Sequence, residues 1–238
     1  MFDIENGRLP MKRNVLILIL LLCALSVFAG DVADYVNLGF SDDSEYFMFG
    51  LYGIDYKSSN PYADIYTVDV AGNRFADKGV CTKVYNADLQ AGQDGSGALY
   101  NLLEDNFDQL KSFRINHLNK GRIVYLLING DEPKDILEFR DFRNNGKYHV
   151  SLTQQQFGTE KEPSASFHIQ LTVTDSSSNT SVYTIGLPDY KRTDVLKYRI
   201  KQVMFAPDEK SLVFVVEKEI LDGTGPSIRY MVETVRLK

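Results

Sequence analysis

The chain has 238 residues, 24% of them charged, and a formal net charge of −6. Its basic side chains are scattered, which excludes a nucleic-acid binder, because neutralising phosphates takes a concentrated basic patch. Two cysteines, Cys23 and Cys81, make no disulfide framework, so the fold must rest on its apolar core.

The N-terminus comes first in chain order. Met1–Pro10 carries Asp3 and Glu5, acids that disfavour export, and residues 1–10 read as a start-site extension ahead of Met11-Lys12-Arg13. The uncharged run from Val15 to Phe28 is shorter than the roughly 20 residues a membrane span needs. With its basic flank and the exit Val27-Phe28-Ala29-Gly30, it makes residues 11–29 a secretory signal peptide cleaved near Ala29. Cys23 raises lipid anchoring as an alternative, but Leu22 stands where lipidation wants a small residue. The expectation is a periplasmic or secreted protein without a membrane span after cleavage, with residues 30–238 as one domain.

Beyond Gly30 the patterning is mainly β. Runs rich in β-branched and aromatic residues cover Tyr46–Tyr52, Ile65–Val70, Arg122–Ile128, Tyr148–Thr153, Phe167–Thr174, Val182–Gly186, Leu212–Val216 and Ile228–Leu237. Gly72-Asn73, Asn129-Gly130-Asp131 and Ser176–Asn179 punctuate them as turns. Apolar residues at 99, 102, 103, 107 and 110 predict one helix near 97–112, with Ser96 as its N-cap. A second, short helical spacing covers Thr193–Lys197. Cys81, within Val80–Val84, reads as a small buried hydrophobe rather than a reactive thiol.

Two distant stretches echo each other. Phe40-Ser41-Asp42-Asp43 through Phe49 and Phe205-Ala206-Pro207-Asp208 through Phe214 both predict a strand, a tight turn and a returning strand, with Asp43 or Asp208 bonding the backbone two residues on. A poorer third echo lies at Asn119–Tyr125. These motifs resemble the blade turns of TolB-type β-propellers, with Asp64–Asp69 as the later strand, although the copies keep no blade period. The mature chain also resembles a family of predicted secreted bacterial proteins of unknown function, known from spirochaetes, in Tyr35–Asp43, Pro207-Asp208, Leu212–Glu217 and Arg229–Thr234. That resemblance implies export and no particular reaction. The expected fold is therefore antiparallel sheets with blade-like hairpins and one packed helix, the alternative being a β-sandwich or barrel with a helix.

No His-Glu-x-x-His, Gly-x-Ser-x-Gly, P-loop or Cys-x-x-Cys motif is present, which weakens the common protease, esterase and nucleotide-hydrolase readings. In a hairpin centred near residue 161, His149 pairs near 173 and His168 near 154, too far apart for one metal. Gly92–Gly97 contains Asp94 and no base, so it reads as a helix lead-in rather than a phosphate loop. Asp42, Asp43 and Glu45, and likewise Asp131, Glu132 and Asp135, read as turn formers without EF-hand spacing. No metal or cofactor is expected. The remaining signal is tyrosine in polar loops, because tyrosine is large, stiff and able to hydrogen-bond. Tyr52, Tyr56 and Tyr62 around Lys57–Pro61, and Asp189, Tyr190 and Arg192, form the candidate binding set. The expected role is a non-enzymatic binding or envelope-associated protein meeting an envelope protein or a glycan. The alternative is a periplasmic hydrolase with paired carboxylates.

Overall fold

The computed structural model describes residues 30–237 other than Tyr56, Asp88, Ala91, Gly92 and Thr224. The expected start-site extension, signal peptide and Cys23 lie outside the described residues. The chain is mainly β. The strands are β1 (Asp34–Ser41), β2 (Tyr46–Ile54), β3 (Pro61–Asp69), β4 (Arg74–Val84), β5 (Ile115–Asn116), β6 (Arg122–Leu126), β7 (Ile136–Arg140), β8 (Lys147–Gly158), β9 (Pro163–Thr174), β10 (Thr180–Thr193), β11 (Val195–Phe205), β12 (Ser211–Asp222) and β13 (Gly225–Arg236). Between β4 and β5 lie the helices α1 (Gly97–Asp105) and α2 (Phe107–Leu110), followed by a 3-10 turn at Lys111–Phe113.

The strands form three open antiparallel sheets, ordered β4-β3-β2-β1-β5, β10-β9-β8-β7 and β13-β12-β11-β6. The third lies between the other two. Period-2 alternation sends Leu212, Phe214 and Val216 of β12 into one core, with Val150, Phe167 and Ile169 of the β7–β10 sheet. Val213 and Val215 enter a second core with Phe40, Phe47 and Phe49 of the β1–β5 sheet. A strand covered on both faces must be apolar at every position, and Ser211–Val216 is buried throughout. The continuous run Leu212–Val216 thus marks the central sheet.

A third core lies behind the β1–β5 sheet, where Met48, Ala63, Ile65 and Cys81 meet Leu99, Leu102, Leu110 and Phe113. Cys81 is a buried free thiol, as its apolar surroundings implied. Gly50 makes room here: a Cβ on it would lie 2.7 Å from Leu99 Cδ1 and push that side chain, so its bare backbone eases the approach of α1 to β2.

The helical region departs from expectation. Asn106 interrupts the run near 97–112; its side-chain amide donates to Leu102 O at 2.9 Å and its backbone leaves helical values at φ −113° and ψ 16°. After the break Phe107, expected on the apolar stripe, is 64% exposed. Ser96 holds the N-cap position but makes no side-chain cap bond; its hydroxyl donates to Asp94 Oδ2 at 2.6 Å instead. The short helix expected at Thr193–Lys197 is absent. Asp194, at φ 60°, turns β10 into β11, and strand pairing on both sides overrides a five-residue spacing.

The β8–β9 hairpin pairs His149 with Thr172 and His168 with Thr153, one position from the expected register. Its turn closes between Gly158 and Pro163, which fixes the centre between residues 160 and 161. Both echo stretches are hairpins: Phe40 and Phe205 sit near the ends of β1 and β11, and β2 and β12 return from the turns. Gly121, at φ +74°, fits between them, since a Cβ there would lie 2.5 Å from Phe205 O and 2.9 Å from the Phe40 ring.

Candidate functional site

The sequence grouped Tyr52 and Tyr62 as loop residues. Both lie in strands instead, because β2 and β3 pair through to Ile54 and Pro61. Tyr52 pairs with Ala63 and Tyr62 with Gly53, so period-2 alternation turns the two rings to opposite faces. Tyr52 packs partly buried with the α1 core, whereas Tyr62 is buried in the core shared with the central sheet. Tyr56 lies outside the described residues.

Tyr62 leads to a cleft of about 450 Å³ that Asp31, Asp55, Asp64, Lys83 and Arg229 also line. Arg229 organises its wall. The guanidinium donates to Asp31 Oδ2 at 2.7 Å and Asp31 O at 3.1 Å, and its centre lies 5.2 Å from the Tyr62 ring centroid, a cation–π distance. The Tyr62 hydroxyl is buried beside Asp31 without a hydrogen bond of good geometry.

Two carboxylates in this cleft have opposite environments. Asp55 accepts from the Ser58 hydroxyl at 2.7 Å and from Lys57 N–H at 3.1 Å, and these bonds, the Ser58 bond foremost, hold its carboxyl below the ordinary range. Asp64 has no hydrogen-bond partner among the described residues; burial pushes its carboxyl up, and Arg229 offsets part of that. An unengaged carboxylate facing a guanidinium across an open cleft can accept hydrogen bonds from a ligand's hydroxyl or amide groups.

The second half of the predicted set meets at an irregularity in β10. Its pairing with β9 jumps between Leu187 and Arg192, leaving Pro188–Lys191 without partners on β9. Tyr190 on this bulge is 57% exposed. Arg192 turns inward, its guanidinium 5.0 Å from the Tyr190 ring and 5.2 Å from the Phe167 ring. Tyr190 and Arg192 therefore come together, while Asp189 stands exposed beside them. Across the seam Glu233 lies 3.9 Å from Arg192; burial raises its carboxyl, and the Asn73 amide bonding it at 2.6 Å works the other way.

Sequence reasoning missed Asp31, Asp64, Arg229 and Glu233. The signal in the sequence was a charge inside an otherwise apolar strand, as in Ala63-Asp64-Ile65 and Val232-Glu233-Thr234, where alternation faces the charge toward packed neighbours.

A family model described as predicted secreted protein (DUF2259) matches residues 48–236. The chain belongs to the DUF2259 family. That family is one of predicted secreted proteins of unknown function. Its matched span starts inside β2 and ends at the last residue of β13, so it takes in the Asp64 cleft except for Asp31, and the whole β10 bulge. A search of the curated proteins finds no match. No helix among the described residues of this DUF2259 protein is long and apolar enough to cross a membrane.

Proposed function

We propose that this DUF2259 protein is an exported, non-enzymatic binding protein of the periplasm or the medium, a single domain over residues 30–238 that takes a glycan at the Asp64 cleft. The carrying observation is the unengaged Asp64 carboxylate opposite Arg229 in an open cleft. Carboxylates and one guanidinium lining an open groove match the hydroxyl-rich surface of a sugar chain. An envelope protein is the alternative partner, reached through the exposed Tyr190 bulge. Binding of the exported protein to immobilised envelope glycans should weaken roughly tenfold in Asp64→Asn, the loss of one charge-assisted hydrogen bond. Equal retention of variant and wild type, or retention of neither, defeats the glycan reading.

One observation favours a second reading. Asp55 and Asp64 share a cleft with their carboxyls pushed in opposite directions, the partition that hydrolases use to divide acid from base. Release of reducing ends from the same glycans, abolished in Asp64→Asn, would establish a hydrolase; intact glycan after prolonged incubation would remove it.

A further inference from the structure

At the seam between the β10 bulge and the central sheet, Arg192 lies 6.0 Å from the ring of Tyr198, the cross-strand partner of Lys218. Lys218 of β12 stands between Tyr198 of β11 and Arg229 of β13. Cross-strand partners share a face, with Cβ atoms about 5 Å apart, and this face also carries Phe214 and Val216 toward the β7–β10 sheet. Lys218 is partly buried, and no hydrogen bond or ion pair engages its ammonium among the described residues. The neighbouring Glu217 and Glu219 alternate to the other face, where Arg199 binds both, at 2.6 and 2.7 Å.

Arg192 approaches from β10. It pairs with Ala165, whose small side chain leaves room for the guanidinium to fold over Phe167. Arg192 Nη1 is buried with no hydrogen-bond partner among the described residues. Glu233 forms a long ion pair with Arg192 Nη2 at 3.9 Å, beyond hydrogen-bond distance, and also accepts from the Asn73 amide at 2.6 Å, so neither contact uses Arg192 Nη1. Arg229 is committed to Asp31. Buried cations are ordinarily paired, because desolvation without a counter-charge is costly.

We propose that Arg192 and Lys218, beneath the Pro188–Lys191 bulge, form a site for an oxyanion, the carboxylate or phosphate group of a small ligand. A planar guanidinium fork and an ammonium make a complementary pair of donors for such a group. The exposed Tyr190 ring lies 5.0 Å from the Arg192 guanidinium on its solvent side, and the Tyr198 hydroxyl lies 3.4 Å from Ala165 O. Burial, and then repulsion from Arg192 and Arg229, hold the Lys218 ammonium below its ordinary range; a bound anion relieves both.

The test is calorimetric titration and thermal unfolding of the exported protein with inorganic phosphate and with acetate, at ionic strength fixed by chloride. At least one anion should bind saturably and raise Tm above the chloride control. A response to phosphate alone identifies a phosphate group, to acetate alone a carboxylate, and to both a general oxyanion site. Lys218→Met preserves side-chain volume and should fold with unchanged or higher Tm while binding about tenfold more weakly. Arg192→Gln, the second variant, should weaken binding likewise. No saturable response beyond chloride in the wild type, or an undiminished response in both variants, overturns the site. Neither outcome depends on glycan binding at Asp64.

Discussion

At the turn from β1 to β2 the left-handed residue is Ser44, and at the turn from β11 to β12 it is Glu209, at φ 61° and 55°. Ser44 N–H donates to Ser41 O and Glu209 N–H to Ala206 O, both at 2.9 Å. Asp43 accepts from Glu45 N–H at 3.0 Å, and Asp208 from Lys210 N–H at 2.8 Å. The backbones are equivalent, but their surroundings are not. Glu209 receives Arg122 Nε at 3.0 Å and Arg143 Nη1 at 2.8 Å, and Arg122 also grips Asp141 through two bonds of 3.0 Å. That network ties the β11–β12 turn and β6, both of the central sheet, to the β7–β8 connection of the outer sheet. Ser44 carries no charge to do the same. Local sequence sets the turn; whatever side chain stands at the strained position decides what the turn is connected to.

The sharpest way to break this comparison is Arg122→Ala. The Asp141 side chain is only 3% exposed, so the variant leaves an uncompensated buried carboxylate and should lose about 3–5 kcal/mol of stability, read by urea unfolding. Wild type should also show an acid limb. The Arg122 hydrogen bonds lead in holding the Glu209 carboxyl below its ordinary value. Its contribution is therefore complete above the unfolded pKa, near 4.3, and is lost as pH falls through the folded one. Arg122→Ala should flatten that limb. A loss below about 1 kcal/mol would mean that the network is merely a surface decoration.

The extent to which such features are legible follows from range. Period-2 patterning gave away the antiparallel sheets, but that Leu212–Val216 is covered on both faces emerges only from its packing in two cores. The aspartate turns were equally plain, since Asp43 and Asp208 act within a few residues of themselves. The break at Asn106 was harder, because a side-chain amide competing for the helix backbone leaves the apolar spacing intact. The candidate sites were least legible. Arg229 and Asp31 are 198 positions apart and Arg122 and Glu209 are 87 apart, so no local pattern marks either pair. Tyr190 and Arg192 come together because they lie two residues apart on one bulge; Tyr52 and Tyr62 do not, because they are offset by one position across the β2–β3 pairing and so point to opposite faces.

A smaller effect sharpens the equivalence of the two turns. Asp208 accepts from Lys210 N–H, Ser211 N–H and the Ser211 hydroxyl; Asp43 accepts from Glu45 N–H and the Ser41 hydroxyl. Asp43→Ala and Asp208→Ala should each lose about 1 kcal/mol. Values differing by more than about 1 kcal/mol in parallel denaturation curves would show that the turns are alike in shape only.

The smallest effect separates turn from context most cleanly, because the two variants differ in sign. A non-glycine residue at positive φ stores roughly 1 kcal/mol or more of strain, which glycine releases, while glycine loses more backbone freedom on folding. At Ser44 the strain relief is the larger effect, and Ser44→Gly should gain about 0.5 kcal/mol. At Glu209 the same relief is set against the loss of the Arg122 and Arg143 contacts, discounted because the Glu209 side chain is 35% exposed. Glu209→Gly should therefore lose about 0.5 kcal/mol. In an Arg122→Ala background the principal partner is already gone, so Glu209→Gly should reverse sign and match Ser44→Gly. That double-variant cycle isolates the connection from the turn: an unchanged sign in the Arg122→Ala background would place the difference in the turn itself.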